Sequence, residues 1–119
     1  MSLTTILQDI FEAGVQKANV QAKGKLDKSS FYRSVVMEIP NANNFRFGYI
    51  FTENGIRECD PDGITPTVKV VMPYETFIRI MKKELSAQDA IYYGLAGLEG
   101  ENALLHVNIL MLVFAGLVQ

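Results

Sequence analysis

The chain carries few side chains that could perform covalent or acid–base chemistry. Cys59 is its one cysteine and His106 its one histidine. A catalytic pair of this kind needs both side chains within hydrogen-bond reach of each other, which the sequence does not indicate. Cys59 lies between Glu58 and Asp60, and neighbouring carboxylates raise the pKa of a thiol and reduce its reactivity. His106 lies in an apolar stretch, where we expect a core histidine. The sequence therefore predicts no catalytic residue and no enzyme.

The acidic residues do not follow the spacing of a metal site. Residues 60–63, Asp-Pro-Asp-Gly, look like the start of a calcium loop. Thr65 and Val71, however, stand where that loop needs glycine and glutamate. Glu99 and Glu101 flank a glycine, and we expect them to be exposed turn residues. The sequence predicts no metal and no cofactor.

The charge distribution argues against nucleic acid as a partner. The net charge is -2, and all eleven lysines and arginines lie at or before Lys83. Aromatic residues neighbour arginine only at residues 31–33 and 45–47, which is too little for a basic binding surface. Lys23, Lys25 and Lys28 are expected in a solvated loop. A single cysteine excludes an internal disulfide, which fits a reducing, cytoplasmic setting.

The first half of the chain is typical of one helix followed by antiparallel strands. Apolar residues at helical spacing predict an amphipathic helix over residues 2–19, with Ser2 as its N-cap. Aromatic and β-branched residues predict strands over residues 31–39, 45–52 and 56–60, which form an antiparallel meander, and a fourth strand over residues 67–72. The core face of the second strand is expected to carry the alternating aromatic residues Phe45, Phe47, Tyr49 and Phe51.

The second half is typical of two helices, a strand and a final helix. Pro73 begins a helix whose apolar face extends to Leu85, and Ser86 caps a short helix over residues 87–93. Residues 95–99 form the predicted fifth strand, and the last helix starts near Glu101 or Asn102. Together these elements predict one α/β domain, more narrowly α+β, over residues 1–119. Its five-stranded sheet is mostly antiparallel, and helices pack on it.

The C-terminal stretch poses the functional question. Over residues 103–118 only His106 and Asn108 are clearly polar. A helix that is apolar all round must be buried on several sides. This run is about 16 residues long, shorter than the roughly 20 that a membrane span needs. We therefore predict a buried core helix, with at most transient membrane contact, and ask what covers its second side.

Residues 66–117 resemble the sterol carrier protein type-2 domain family in the order of their features. That family has a strand, an aromatic-bearing helix and a segment of the form Gly-Lys-Leu-x-x-x-x-Ala-x-x-x-Gly. A short strand, another glycine and an apolar C-terminal helix follow. Leu85, Ala90, Gly94 and Gly100 hold the matching positions here, whereas Glu84 departs from the usual lysine. The N-terminal half agrees in the order of its helix and strands.

The resemblance implies an apolar tunnel between the sheet and the helices, able to accept fatty acyl chains, sterols or related lipids. The first hypothesis is therefore a soluble carrier whose partner is a lipid or another apolar small molecule. Its predicted lining comes from the helix after Pro73, the fifth strand and the last helix: Phe77, Met81, Leu95, Leu98, Leu105, Ile109 and Leu112.

Two alternatives stay open. In one, the chain is a homodimer or a partner-binding module without a ligand, and the last helix supplies the interface through Leu110, Met111 and Phe114. In the other, the chain is an accessory domain for lipid enzymology that takes place on another chain.

Overall fold

A computed structural model describes residues 2–118 of the protein. Its α-helices are Leu3–Ala22 (α1), Tyr74–Met81 (α2), Ala87–Tyr92 (α3) and Val107–Val118 (α4). Its strands are Ser34–Ile39 (β1), Phe45–Thr52 (β2), Gly55–Cys59 (β3), Val68–Val71 (β4) and Gly97–Glu99 (β5). Short 3-10 helices lie at Lys28–Ser30 and Ala103–His106, and the second of these leads into α4.

The strands form one mixed sheet in the order β3-β2-β1-β4-β5. β1 and β4 are parallel, and the other neighbouring pairs are antiparallel. This confirms the predicted α+β class and its five-stranded, mostly antiparallel sheet. β1 lies at the centre of the sheet because the chain returns after β3 to place β4 on the far side of β1.

Several predicted boundaries are wrong. α1 continues to Ala22 instead of ending at residue 19, and β5 begins at Gly97 instead of residue 95. Three other errors lie at non-glycine residues with positive φ. Tyr32, with φ of 64°, separates residues 31–33 from β1. Lys83, with φ of 63°, follows the end of α2, so that helix does not extend to Leu85. Asn102, with φ of 59°, precedes the 3-10 helix, and α4 begins only at Val107. A left-handed residue cannot continue either a strand or a right-handed helix.

Phe11 of α1 is the centre of the aromatic core. Its ring centroid lies 5.1 Å from that of Phe45, 5.3 Å from Phe47 and 6.4 Å from Tyr49, all on β2. On its other side it stacks on Phe77 of α2 at 5.5 Å. These rings are buried, as expected for the alternating face of β2. Packed aromatic rings therefore fill the space between β2, α1 and α2.

Polar side chains fix both ends of α1. Ser2 caps the helix as predicted, since its Oγ accepts a hydrogen bond from the Thr5 N–H at 3.2 Å. Near the other end, Asn19 Nδ2 donates to the Ile56 carbonyl and Asn19 Oδ1 accepts from the Ile56 N–H, both at 2.6 Å. This amide occupies hydrogen-bonding positions that the edge strand β3 would otherwise expose.

α1 and α4 cross with their backbones in contact at two glycines. A Cβ atom built on Gly116 would collide with the carbonyl oxygen of Gly14 and would lie 2.9 Å from the Ala18 nitrogen. Only residues without a side chain allow such an approach. One side of α4 is therefore covered by α1. No helix within residues 2–118 combines the length and the hydrophobicity that crossing a bilayer requires.

We predict that Gly116→Ala destabilises the protein by about 1–3 kcal/mol, as overpacking does elsewhere. The added methyl group meets backbone atoms, which cannot rotate away, so the two helices must separate. Urea unfolding followed by circular dichroism measures the change. Gly63→Ala is the matched control, because its Cβ would meet nothing nearer than 3.7 Å. Equal midpoints for Gly116→Ala and the wild type would contradict the close crossing.

Candidate functional site

An apolar groove runs between α4 and the connection from α2 to α3. Its volume is about 370 Å³, within the range of small-molecule sites. The lining side chains are apolar except at the rim, where Lys83 and Ser86 lie. The full lining is Ile80, Lys83, Leu85, Ser86, Ala87, Met111, Phe114, Ala115 and Val118. We call this the α4 groove.

The wall opposite α4 is built by a sharp reversal of the chain after α2. The Lys83 N–H donates to the Ile80 carbonyl at 3.0 Å, and the left-handed backbone of Lys83 turns the chain away from the helix axis. Ser86 then caps α3 as predicted, since its Oγ accepts from the Asp89 N–H at 3.1 Å. Lys83 stands where the family pattern has its first glycine, which favours this backbone conformation. Leu85 and Ala87 are thereby placed in the groove wall.

The two sides of α4 differ in their burial. Ile109, Leu110, Val113 and Leu117 are buried in the core. Met111, Ala115 and Val118 recur at helical spacing and are only half-buried. The α4 groove therefore answers the question raised by the sequence, because it is the incompletely covered side of an apolar helix. The helical spacing of Met111, Ala115 and Val118 is the sequence signal from which the groove could have been predicted.

The lining residues predicted from the sequence lie in four different settings. Phe77 and Ile109 are in the closed core, at 1% and 0% exposure. Met81 and Leu112 are half-buried and pack against the edge of the core. Leu98 and Leu105 line a second groove, of about 590 Å³, between α3, β5 and the second 3-10 helix. Leu95 lies on the surface beside α3.

The proposed dimer residues are mostly hidden within the chain. Leu110 is 0% exposed and Phe114 is 4% exposed, whereas Met111 is half-buried. A partner could therefore reach little of this predicted interface without rearrangement of the core.

A polar cleft adjoins the second groove at the corner of the sheet. It measures about 540 Å³, and its charged or titratable side chains are Arg33, Lys69, Glu99, Glu101 and His106. The prediction of a core histidine is wrong, because His106 is only half-buried and lines this cleft. The reason is the 3-10 helix that begins after Asn102, which α-helical periodicity did not anticipate.

Neither Cys59 nor residues 60–63 line the two grooves or the polar cleft. Cys59 lies on the edge strand β3, and burial, followed by the charges of Asp60 and Glu58, raises the pKa of its thiol. Residues 60–63 form the predicted turn, with the Gly63 N–H donating to the Asp60 carbonyl at 3.1 Å. Among the described residues, no group of three or more His, Cys, Asp or Glu side chains could hold a metal ion.

Comparison with known proteins defines the class of the fold. No family model matches the sequence, and no curated protein matches it either. Solved structures do match, and sterol carrier protein 2 domains recur among them. The chain therefore has the fold of sterol carrier protein 2 domains, as the order of its features indicated.

Three of these structures cover most of both chains. A conserved protein of Thermus thermophilus, described as a candidate sterol carrier protein, has a TM-score of 0.62 and 16% identity, over 92% of this chain and 85% of its own. Sterol carrier protein 2 from Yarrowia lipolytica, in its apo form, has a TM-score of 0.58 and 15% identity, over 98% and 93%. Palmitated sterol carrier protein 2-like 2 from Aedes aegypti has a TM-score of 0.53 and 18% identity, over 85% and 92%.

We predict that Cys59 reacts with iodoacetamide near neutral pH more slowly than an unperturbed cysteine does, because its raised pKa keeps the thiol protonated. Asp60→Asn removes one repelling charge, so the pKa falls and the rate at pH 8 rises by about two- to fivefold, the range of exposed charge interactions. The pH dependence of alkylation, followed by mass spectrometry, measures the shift. Glu53→Gln, in the turn before β3, is the control. An unchanged profile in Asp60→Asn would show that Asp60 does not influence the thiol.

Proposed function

We propose that the protein is a lipid-binding carrier and not an enzyme, and that it holds an apolar chain in the α4 groove. The observation that carries this proposal is the groove itself, in which the half-covered side of α4 faces an apolar wall. The fold supports the same function, since it is shared with sterol carrier protein 2 domains, one of them palmitated. A fatty acyl chain or a sterol-like molecule is the ligand class.

Binding in this groove would depend mainly on removing apolar surface from water. Each buried methylene contributes about 0.8 kcal/mol, so burial of about ten of them could support micromolar affinity without polar recognition. Met111 suits such a site because its flexible thioether adapts to ligands of different shape. At the rim, the exposed ammonium group of Lys83 can meet a carboxylate or phosphate head group.

The residues predicted from the sequence enter this proposal unequally. Met81 and Leu112 are half-buried on α2 and α4, and they could contact a ligand that extends beyond the groove. Phe77 and Ile109 could do so only if the core opened, because both are closed within it. Leu98 and Leu105 belong to the second groove. The new candidates for contact are Ala87, Met111, Ala115 and Val118.

We predict that Ala115→Phe weakens binding of the fluorescent fatty acid cis-parinaric acid by at least about tenfold. The added ring occupies groove volume, and tenfold corresponds to the contribution of about two methylenes. Fluorescence titration of delipidated protein measures the affinity. Ala13→Phe adds the same ring to an exposed position of α1, outside the groove, and should bind like the wild type.

Circular dichroism spectra and thermal unfolding of both variants show whether each has folded. Wild-type affinity in a folded Ala115→Phe variant would exclude the α4 groove as the acyl site. No binding of any acyl lipid by the wild type, including lipids that co-purify with it, would exclude the carrier function.

A further inference from the structure

The polar cleft and the second groove are two halves of one depression. Both are lined by Gly100, Asn102 and Leu105. On one side of these residues lie the charged groups of the cleft, and on the other lie the apolar side chains of Ile91, Leu98 and Leu104. A molecule that filled both halves would have to be polar at one end and apolar at the other.

The cleft has unmatched charges of both signs. Lys69 lies opposite Glu99 in the β4–β5 register, but its Nζ is 3.2 Å from Glu38 Oε2 instead. Within the described residues, neither Glu99 nor Glu101 forms an ion pair. Arg33 makes one side-chain hydrogen bond there, a long one of 3.4 Å from Nε to the Ser29 carbonyl. A guanidinium group with free terminal N–H groups can bind an anion in a bidentate manner.

These charges select a class of head group. A simple anion would be attracted by Arg33 but repelled by the two carboxylates, and a simple cation would experience the reverse. A zwitterion satisfies both, with its acidic group on Arg33 and its ammonium group toward Glu99 and Glu101. His106 lines the same cleft, and its imidazole can form a hydrogen bond with the acidic group or with the ammonium group of such a ligand.

The apolar half contains leucines that remain exposed to solvent in the folded chain. Leu104 is 77% exposed and Leu105 is 75% exposed, although they are consecutive residues at the wall of an apolar groove. Tyr92 and Tyr93, at the end of α3, are also largely exposed. Large exposed apolar side chains grouped beside a groove indicate that something covers them. An aliphatic tail leaving the polar cleft would run directly over Leu105.

The floor of the depression is held in place by the backbone. Gly100 has φ of 129°, and a Cβ built there would lie 2.5 Å from the carbonyl oxygen of Thr67. The turn after β5 is therefore packed against the start of β4, next to the cleft residues Thr65 and Thr67. A site built on such a fixed turn is organised before its ligand arrives.

We infer that this corner of the sheet binds an amphiphile with a zwitterionic head group, the head in the polar cleft and an aliphatic tail along Leu98, Leu104 and Leu105. This site is separate from the α4 groove, because the two share no lining residue. The inference goes beyond the proposed carrier function and does not depend on it.

The single histidine makes the site directly observable. In proton NMR spectra, the imidazole signals of His106 are unique in this chain. We would titrate three probes below their micelle concentrations: glycerophosphoethanolamine, dihexanoyl phosphatidylethanolamine and dihexanoyl phosphatidylglycerol. They provide the zwitterion alone, the zwitterion with tails and an anionic head with the same tails.

We expect the phosphatidylethanolamine probe to shift His106 saturably and to bind at least about tenfold more tightly than either other probe. Arg33→Gln should lose roughly tenfold, the effect of one charge-assisted hydrogen bond. Leu105→Ser should reduce the affinity for the tailed probes only. Both replaced side chains are exposed, so the variants should fold.

Three results would overturn the inference. One is the absence of a saturable His106 shift with any probe. Another is equal affinity for the tailless head group, which would mean that a free zwitterion is bound and the groove is not used. The third is equal affinity for the anionic lipid. Ala115→Phe, which fills the α4 groove, should leave the His106 titration unchanged, so the failure of one site is distinguishable from the failure of the other.

Discussion

The contact between Gly14 and Gly116 is the constraint on which the rest of the structure depends. Because the backbones of α1 and α4 touch there, the orientation of α4 about its own axis is determined. Ile109, Val113 and Leu117 face the core, and Met111, Ala115 and Val118 are left on the other side. A helix with no polar face thus has one closed side and one half-open side. The proposed function places the ligand on the half-open side.

The aromatic core explains where ligand space is found. Phe11, Phe47, Tyr49 and Phe77 fill the volume between the sheet and the first two helices, so an apolar ligand has no room there while the core stays closed. Space remains at the periphery, in the α4 groove and at the corner after β5. The same sequence therefore provides a rigid interior and adaptable edges, and the exposed leucines and half-buried Met111 belong to those edges.

Local sequence signals predicted much of the fold, and long-range contacts account for what they missed. The alternating aromatic residues of β2 and the caps Ser2 and Ser86 act within a few residues, so their structure could be derived. The parallel pairing of β1 with β4 joins distant segments and has no local signature. Lys83 and Asn102 adopt left-handed conformations that their residue types do not demand, and these two residues shape the α4 groove and the polar cleft. The lining predicted from the sequence consisted of large side chains, whereas the small side chains of Ala87 and Ala115 leave the space of the α4 groove open.

The most direct test is to locate a bound acyl chain by NMR. Protein with ¹³C-labelled methionine and valine methyl groups, saturated with unlabelled palmitate, would yield isotope-filtered nuclear Overhauser effects between the two. Binding in the α4 groove predicts contacts from the acyl chain to the methyl groups of Met111 and Val118, with none to Met37 or Val35, which are closed in the core. Contacts from the acyl chain to Met37 or Val35, without contacts to Met111 and Val118, would show that the core opens around the ligand and that the α4 groove is not the site.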